Sequence, residues 1–66
     1  MAVTVNGKPR EIDAEVDLAG FLQSLEIDPR TVAVALNGEV VPRDQHANVM
    51  LREGDSVEIV RMVGGG

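Results

Sequence analysis

The chain has 66 residues with one Phe, one His and no Trp, Tyr or Cys, and six Lys/Arg against eleven Asp/Glu give a formal net charge of −5. A chain of this length is one domain near the lower limit for independent folding, burying only about 60% of its unfolded surface, which leaves no room for a deep catalytic pocket. The absence of thiols excludes a disulfide framework, a lone His excludes the usual clustered metal centres, and scattered cations on an acidic chain argue against nucleic acid. The hydrophobic fraction of 44% suits a globular core, which has to be aliphatic. No apolar run nears the ~20 residues of a membrane span and no basic-then-apolar leader precedes the domain, so a cytoplasmic protein with no membrane partner is expected.

The first stretch, AVTVNGKPREI, sets Asn6-Gly7 between two β-favouring runs. Both residues tolerate the positive φ of a type I′ turn, so this reads as a hairpin. Val3 and Val5 share one face, Ile12 continues the apolar set, and Pro9 predicts a short second strand at a sheet edge. In VDLAGFLQSLEIDP, Leu18, Phe21, Leu22 and Leu25 recur at helical spacing. Asp17 is the expected N-cap, Val16 and Phe21 occupy hydrophobic-staple positions, and Pro29 requires the helix to have ended by about Asp28. Gly20, a poor helix former, points to close packing.

TVAVALNGEVVP repeats the hairpin chemistry at Asn37-Gly38, with Pro42 closing the next strand. Val32, Val34 and Leu36 alternate with Ala33 and Ala35, a pattern that predicts cover on both faces. The segment beginning RDQHANVML is irregular, with one short helical turn near His46 to Val49 and Leu51 inserted into the core. A turn at Glu53-Gly54-Asp55 precedes the last strand, where Val57 and Ile59 alternate with Glu58 and Val60. The order ββαββ gives an α+β fold: a mixed sheet packed on one helix, with first and last strands parallel at its centre. That arrangement is the ubiquitin-like β-grasp. Residues 1–62 form the domain and 63–66 a flexible glycine-rich tail.

Side-chain catalysis finds little support. Ser24, Ser56, Thr4 and Thr31 have only His46 as a candidate base, and His46 reads as a polar loop residue. Glu11/Asp13 and Glu53/Asp55 read as solvated faces beside turns. No metal ligand set is expected. The remaining unusual feature is the terminal VRMVGGG, which on its own is equally readable as a disordered end or an expression scar.

Taken together, VALNGEVVPR (34–43), LREGDSVEI (51–59) and the closing Gly65-Gly66 resemble the ThiS family of ubiquitin-like sulfur carriers of thiamine biosynthesis. The resemblance runs from the Asn6 turn to Gly66. It implies a protein cosubstrate rather than an enzyme. The carboxylate of Gly66 would be adenylated by an E1-like enzyme of the ThiF/MoeB type, which uses ATP and Mg; the chain itself would bind no cofactor. A persulfide derived from a cysteine desulfurase would then convert it to a thiocarboxylate, the sulfur donor for a thiazole synthase. Gly65, Gly64 and Val63 would form the tail threaded into those enzymes.

Glycine fits that role because a side chain on Gly66 or Gly65 would obstruct the carbonyl that each enzyme must reach. Ordering Val63 to Gly66 costs roughly 4–8 kcal/mol at about 1–2 kcal/mol per residue, so the folded body has to supply docking energy. The expected docking surface is the sheet face away from the helix, at Val60 and Met62, with Arg61 and Arg43 available to acidic partner groups. Ordinary exposure of Val60 and Met62, or cover from the loop of Leu51, remains an alternative, as does simple solvation of both arginines. Two other functions share these features: a sulfur carrier for molybdopterin, tRNA thiolation or cysteine synthesis, and a ubiquitin-like interaction module whose glycines are a linker.

Overall fold

The computed structural model describes residues 1–12 and 15–62. Its elements are β1 (Ala2–Val5), β2 (Lys8–Glu11), α1 (Leu18–Ser24), a 3₁₀ turn (Pro29–Thr31), β3 (Val32–Leu36), β4 (Glu39–Val41), a longer 3₁₀ segment (Arg43–Asn48) and β5 (Ser56–Arg61). The five strands form one sheet in the order β2-β1-β5-β3-β4. β1 and β5 are parallel, and every other pairing is antiparallel. This is the β-grasp topology that the order of elements predicts. β2 takes the outer edge, where Pro9 cannot interrupt a ladder on both sides.

Both Asn-Gly pairs adopt the positive φ that the hairpins require, 51° and 81° at Asn6-Gly7 and 51° and 89° at Asn37-Gly38. The asparagines also have a second task. The chain leaves β5 at Asn6, which would strand the backbone of Ile59. The Asn6 amide takes the place of the missing strand: its Oδ1 accepts from Ile59 N–H at 2.7 Å and its Nδ2 donates to Ile59 O at 3.2 Å. At the other hairpin, Asn37 Oδ1 accepts from Ser56 N–H at 2.9 Å while its own N–H donates to Ser56 O at 2.8 Å. Two hairpin turns are thereby fastened to the central strand.

Val3, Val32, Val34 and Val57 from the sheet meet Leu18, Phe21 and Leu22 from α1 in a buried core, with Leu51 from the β4–β5 connection. Leu51 is held there by backbone bonds, Leu51 N–H to Val16 O at 2.9 Å and Leu18 N–H to Val49 O at 2.8 Å. Asp17 caps the helix, its Oδ1 accepting from Gly20 N–H at 2.6 Å. A Cβ at Gly20 would lie 2.9 Å from Val16 Cγ2 and 3.1 Å from Asp17 Oδ1, so a side chain there would crowd the cap and staple.

At its C-terminal end α1 stops at Ser24, a turn before the limit set by Pro29. Glu26 turns left-handed with φ 60°. Its N–H then reaches Gln23 O and that of Ile27 reaches Leu22 O, both at 3.0 Å, a Schellman closure without the usual glycine.

The expectation of cover on both faces of β3 does not hold. Ala33 is exposed and Ala35 half-buried, because a single helix covers one side of the sheet and nothing lies on the other among the described residues.

Candidate functional site

The site is built where β5 ends. As the central strand, β5 carries the chain out of the sheet between β1 and β3. Its last described anchor is Met62, whose N–H donates to Thr31 O at 2.9 Å. The tail residues Val63, Gly64, Gly65 and Gly66 lie outside the described residues, as does Asp13.

Strand alternation decides what surrounds this exit. Val57 and Ile59 turn toward the helix, which leaves Val60 and then Met62 on the open face, 61% and 56% exposed. Leu51 and its loop pack on the opposite face and leave both uncovered. Ala33 is paired directly with Val60, and Ala35 with Glu58 on one side and Val40 on the other. Small alanines between larger neighbours form a shallow apolar floor. Val40, 74% exposed, was not anticipated. Its signal is the Val40-Val41 doublet: in a strand one of two adjacent valines has to face away from the core.

Arg61 and Arg43 part company. Arg61 is opposite Val32 on the helix side of the sheet and lines an apolar cleft of ≈ 240 Å³ with Leu25, Ile27 and Ile59. Arg43 stands instead with Met62 around a notch of ≈ 280 Å³ at the open end of β3. Arg30 also borders this notch, but its charge is committed. Its Nε and NH2 donate to the two carboxylate oxygens of Asp28 at 3.1 and 2.9 Å. Those bonds, with one from the Arg30 N–H, hold the Asp28 carboxyl at about 2 instead of 3.8. Arg43 has no ion pair among the described residues.

His46 corrects the sequence reading. It is not an exposed loop residue but 3% exposed, the sole buried polar side chain among the described residues. Pro42 turns the chain off β4 into the 3₁₀ segment, whose three-residue period sets His46 beneath the strand it has just left. The ring Nε2 lies 3.1 Å from Val41 O. A carbonyl can only accept, so Nε2 carries a proton; the other ring nitrogen is Nδ1. That Nδ1 is buried with no partner, a deficit of about 1–3 kcal/mol. Nor does His46 meet a hydroxyl nucleophile: Ser24 Oγ donates to Phe21 O at 2.6 Å and Thr31 Oγ1 to Asp28 O at 2.7 Å.

Chemically, the described residues offer an apolar platform, an unpaired cation and a notch, all beside the chain's exit from the sheet. No helix among them is long and apolar enough to cross a membrane.

The model of the ThiS family matches residues 3–66. A crystal structure of the thiamine biosynthesis protein ThiS from Geobacter metallireducens superposes with a TM-score of 0.89 at 36% identity, covering 100% of both chains. The sulfur carrier protein ThiS of Thermus thermophilus is 34% identical over 64 residues, 97% of this chain and 98% of that protein. A thiazole synthase of Paramagnetospirillum magneticum is 39% identical over 66 residues. This chain is covered in full by that alignment but spans only 20% of the length of the synthase.

Proposed function

Because the chain belongs to the ThiS family, we propose that it is a sulfur carrier for thiazole formation in thiamine biosynthesis, loaded at the carboxylate of Gly66. The observation that carries this reading is a family match extending through the terminal glycines, at residues 3–66. A carboxylate does not exchange oxygen for sulfur unaided, because oxide is a very poor leaving group. A carboxylate oxygen of Gly66 therefore attacks the α-phosphorus of ATP in a separate, Mg-dependent activating enzyme of the ThiF/MoeB type, and pyrophosphate departs. The terminal sulfur of a persulfide, charged by a cysteine desulfurase, attacks the acyl carbon and expels AMP. A second thiol cleaves the resulting acyl disulfide, leaving a thiocarboxylate on Gly66 and a disulfide between the two thiols.

The thiocarboxylate is an anionic sulfur nucleophile, suited to delivery into an acceptor's site. A protein named thiazole synthase that contains a stretch aligned with the whole of this chain supports a thiazole synthase as that acceptor. The chain's own contribution is presentation. Its body is tied into the sheet up to the Met62–Thr31 bond, and Gly64 to Gly66 add no side chain to obstruct the reacting carbonyl.

ATP–pyrophosphate exchange with the activating enzyme of the native host tests the reading. The full chain supports exchange, and a form lacking Gly65-Gly66 supports none while keeping its circular dichroism spectrum. Exchange by the shortened form would place the reactive group elsewhere.

A further inference from the structure

We propose that the notch at the open end of β3 receives an extended acidic segment of the enzyme that activates Gly66. The inference rests on the carrier reading and adds a specific contact to it. β3 begins at Val32, whereas β4 pairs only with Val34 to Leu36, so Val32 and Ala33 have no neighbour on the β4 side. Backbone direction alternates along a strand. Thr31 O faces β5, where it accepts from Met62 N–H, so Ala33 faces β5 too and Val32 directs its N–H and C=O into the notch. A vacant strand edge of this kind is completed by an extended backbone from another chain.

Two side chains define what that backbone meets. Arg43, exposed and without an ion pair among the described residues, borders the notch and calls for a carboxylate. His46 forms part of the same wall, a buried ring held by the contact of its Nε2 with Val41 O, and it shapes the notch on that side. Val34, Val41 and Met62 supply apolar lining for a side chain between them.

Reach limits the occupant to an enzyme that closes on Gly66, and activation is the first such step. Met62 lines the notch and Gly66 follows four residues later, a span of at most ~14 Å when fully extended. An enzyme that encloses the Gly66 carboxylate therefore has its surface within that distance of Met62, at the rim of the notch that Val32 and Arg43 also line.

The test uses the full chain with the host's activating enzyme in ATP–pyrophosphate exchange. Arg43→Glu raises KM for the carrier about tenfold, and the difference shrinks as salt is raised. Arg10→Glu, the same charge reversal on the outer strand β2, leaves KM unaltered. In the complex, hydrogen exchange at the Val32 amide slows. An active wild-type chain with an unprotected Val32 amide, or with Arg43→Glu at wild-type KM, overturns the notch and leaves the carrier reading standing. A wild-type chain that never supports exchange overturns both.

Discussion

Replacing Asn6 tests the claim that a side-chain amide completes the central ladder. Asn6→Gly keeps a residue at ease with φ 51° but deletes both bonds to Ile59. Each bond is neutral and near solvent, with a net contribution of about 0.5–1.5 kcal/mol, so the loss is roughly 1–3 kcal/mol. Asn6→Ala deletes the same bonds and also forces a Cβ residue into the left-handed region, adding roughly 1–2 kcal/mol. The predicted order of stability is wild type, then Asn6→Gly, then Asn6→Ala. In a domain of this size each kcal/mol moves the melting temperature by about 4–8 °C. Urea titration followed by circular dichroism measures the differences, and amide exchange at Ile59 reports the lost bond directly. An Asn6→Gly variant within about 0.5 kcal/mol of wild type, with Ile59 still protected, would refute the reasoning.

Leu22 is fully buried between α1 and the sheet, so Leu22→Ala costs about 2–5 kcal/mol and, with roughly 5 kcal/mol in hand, leaves about 0–3 kcal/mol, read as a much lower urea midpoint by circular dichroism. Glu26→Gly relieves the left-handed φ at the helix end and raises stability by up to about 1 kcal/mol in urea melts. The folded Asp28 carboxyl titrates at about 2 rather than 3.8, so its stabilising contribution is complete above 3.8 and is lost as pH falls toward 2. In Arg30→Ala, NMR titration shows Asp28 moving back up toward 3.8, while melting at neutral pH hardly changes because the pair is solvent-screened at the surface.

Much of this fold is local chemistry and was legible for that reason. The two Asn-Gly pairs name their turns, the spacing of Leu18, Phe21 and Leu22 names the buried face of the helix, and Asp17 names its start. The features that escaped depend on distant parts of the chain. Nothing near Glu26 announces a left-handed residue, since a Schellman closure usually takes a glycine at that position and none stands there. His46 sits among polar neighbours with no apolar stripe, and its burial follows from the way Pro42 folds the 3₁₀ segment under Val41. A spacing of three from His46 to Val49 was the faint sign. The open face of β3 was misjudged because alanine tolerates cover and exposure alike, and only the supply of helices decides. At the end of β5, strand alternation set Val60 and Met62 on one face, yet it could not show that Arg43 stands beside Met62 while Arg61 goes to the other side.

The central claim is that the folded body presents Gly66 as a chemical handle worked on by other proteins. Intact mass spectrometry of the chain after incubation with its activating enzyme, ATP, Mg and a persulfide source, followed by reduction with thiol, tests this most directly. The account predicts a gain equal to one oxygen-to-sulfur exchange, located on Gly66 by fragmentation and missing when Gly66 is supplied as its amide. An unchanged mass, or sulfur gained by the amide form, would contradict it.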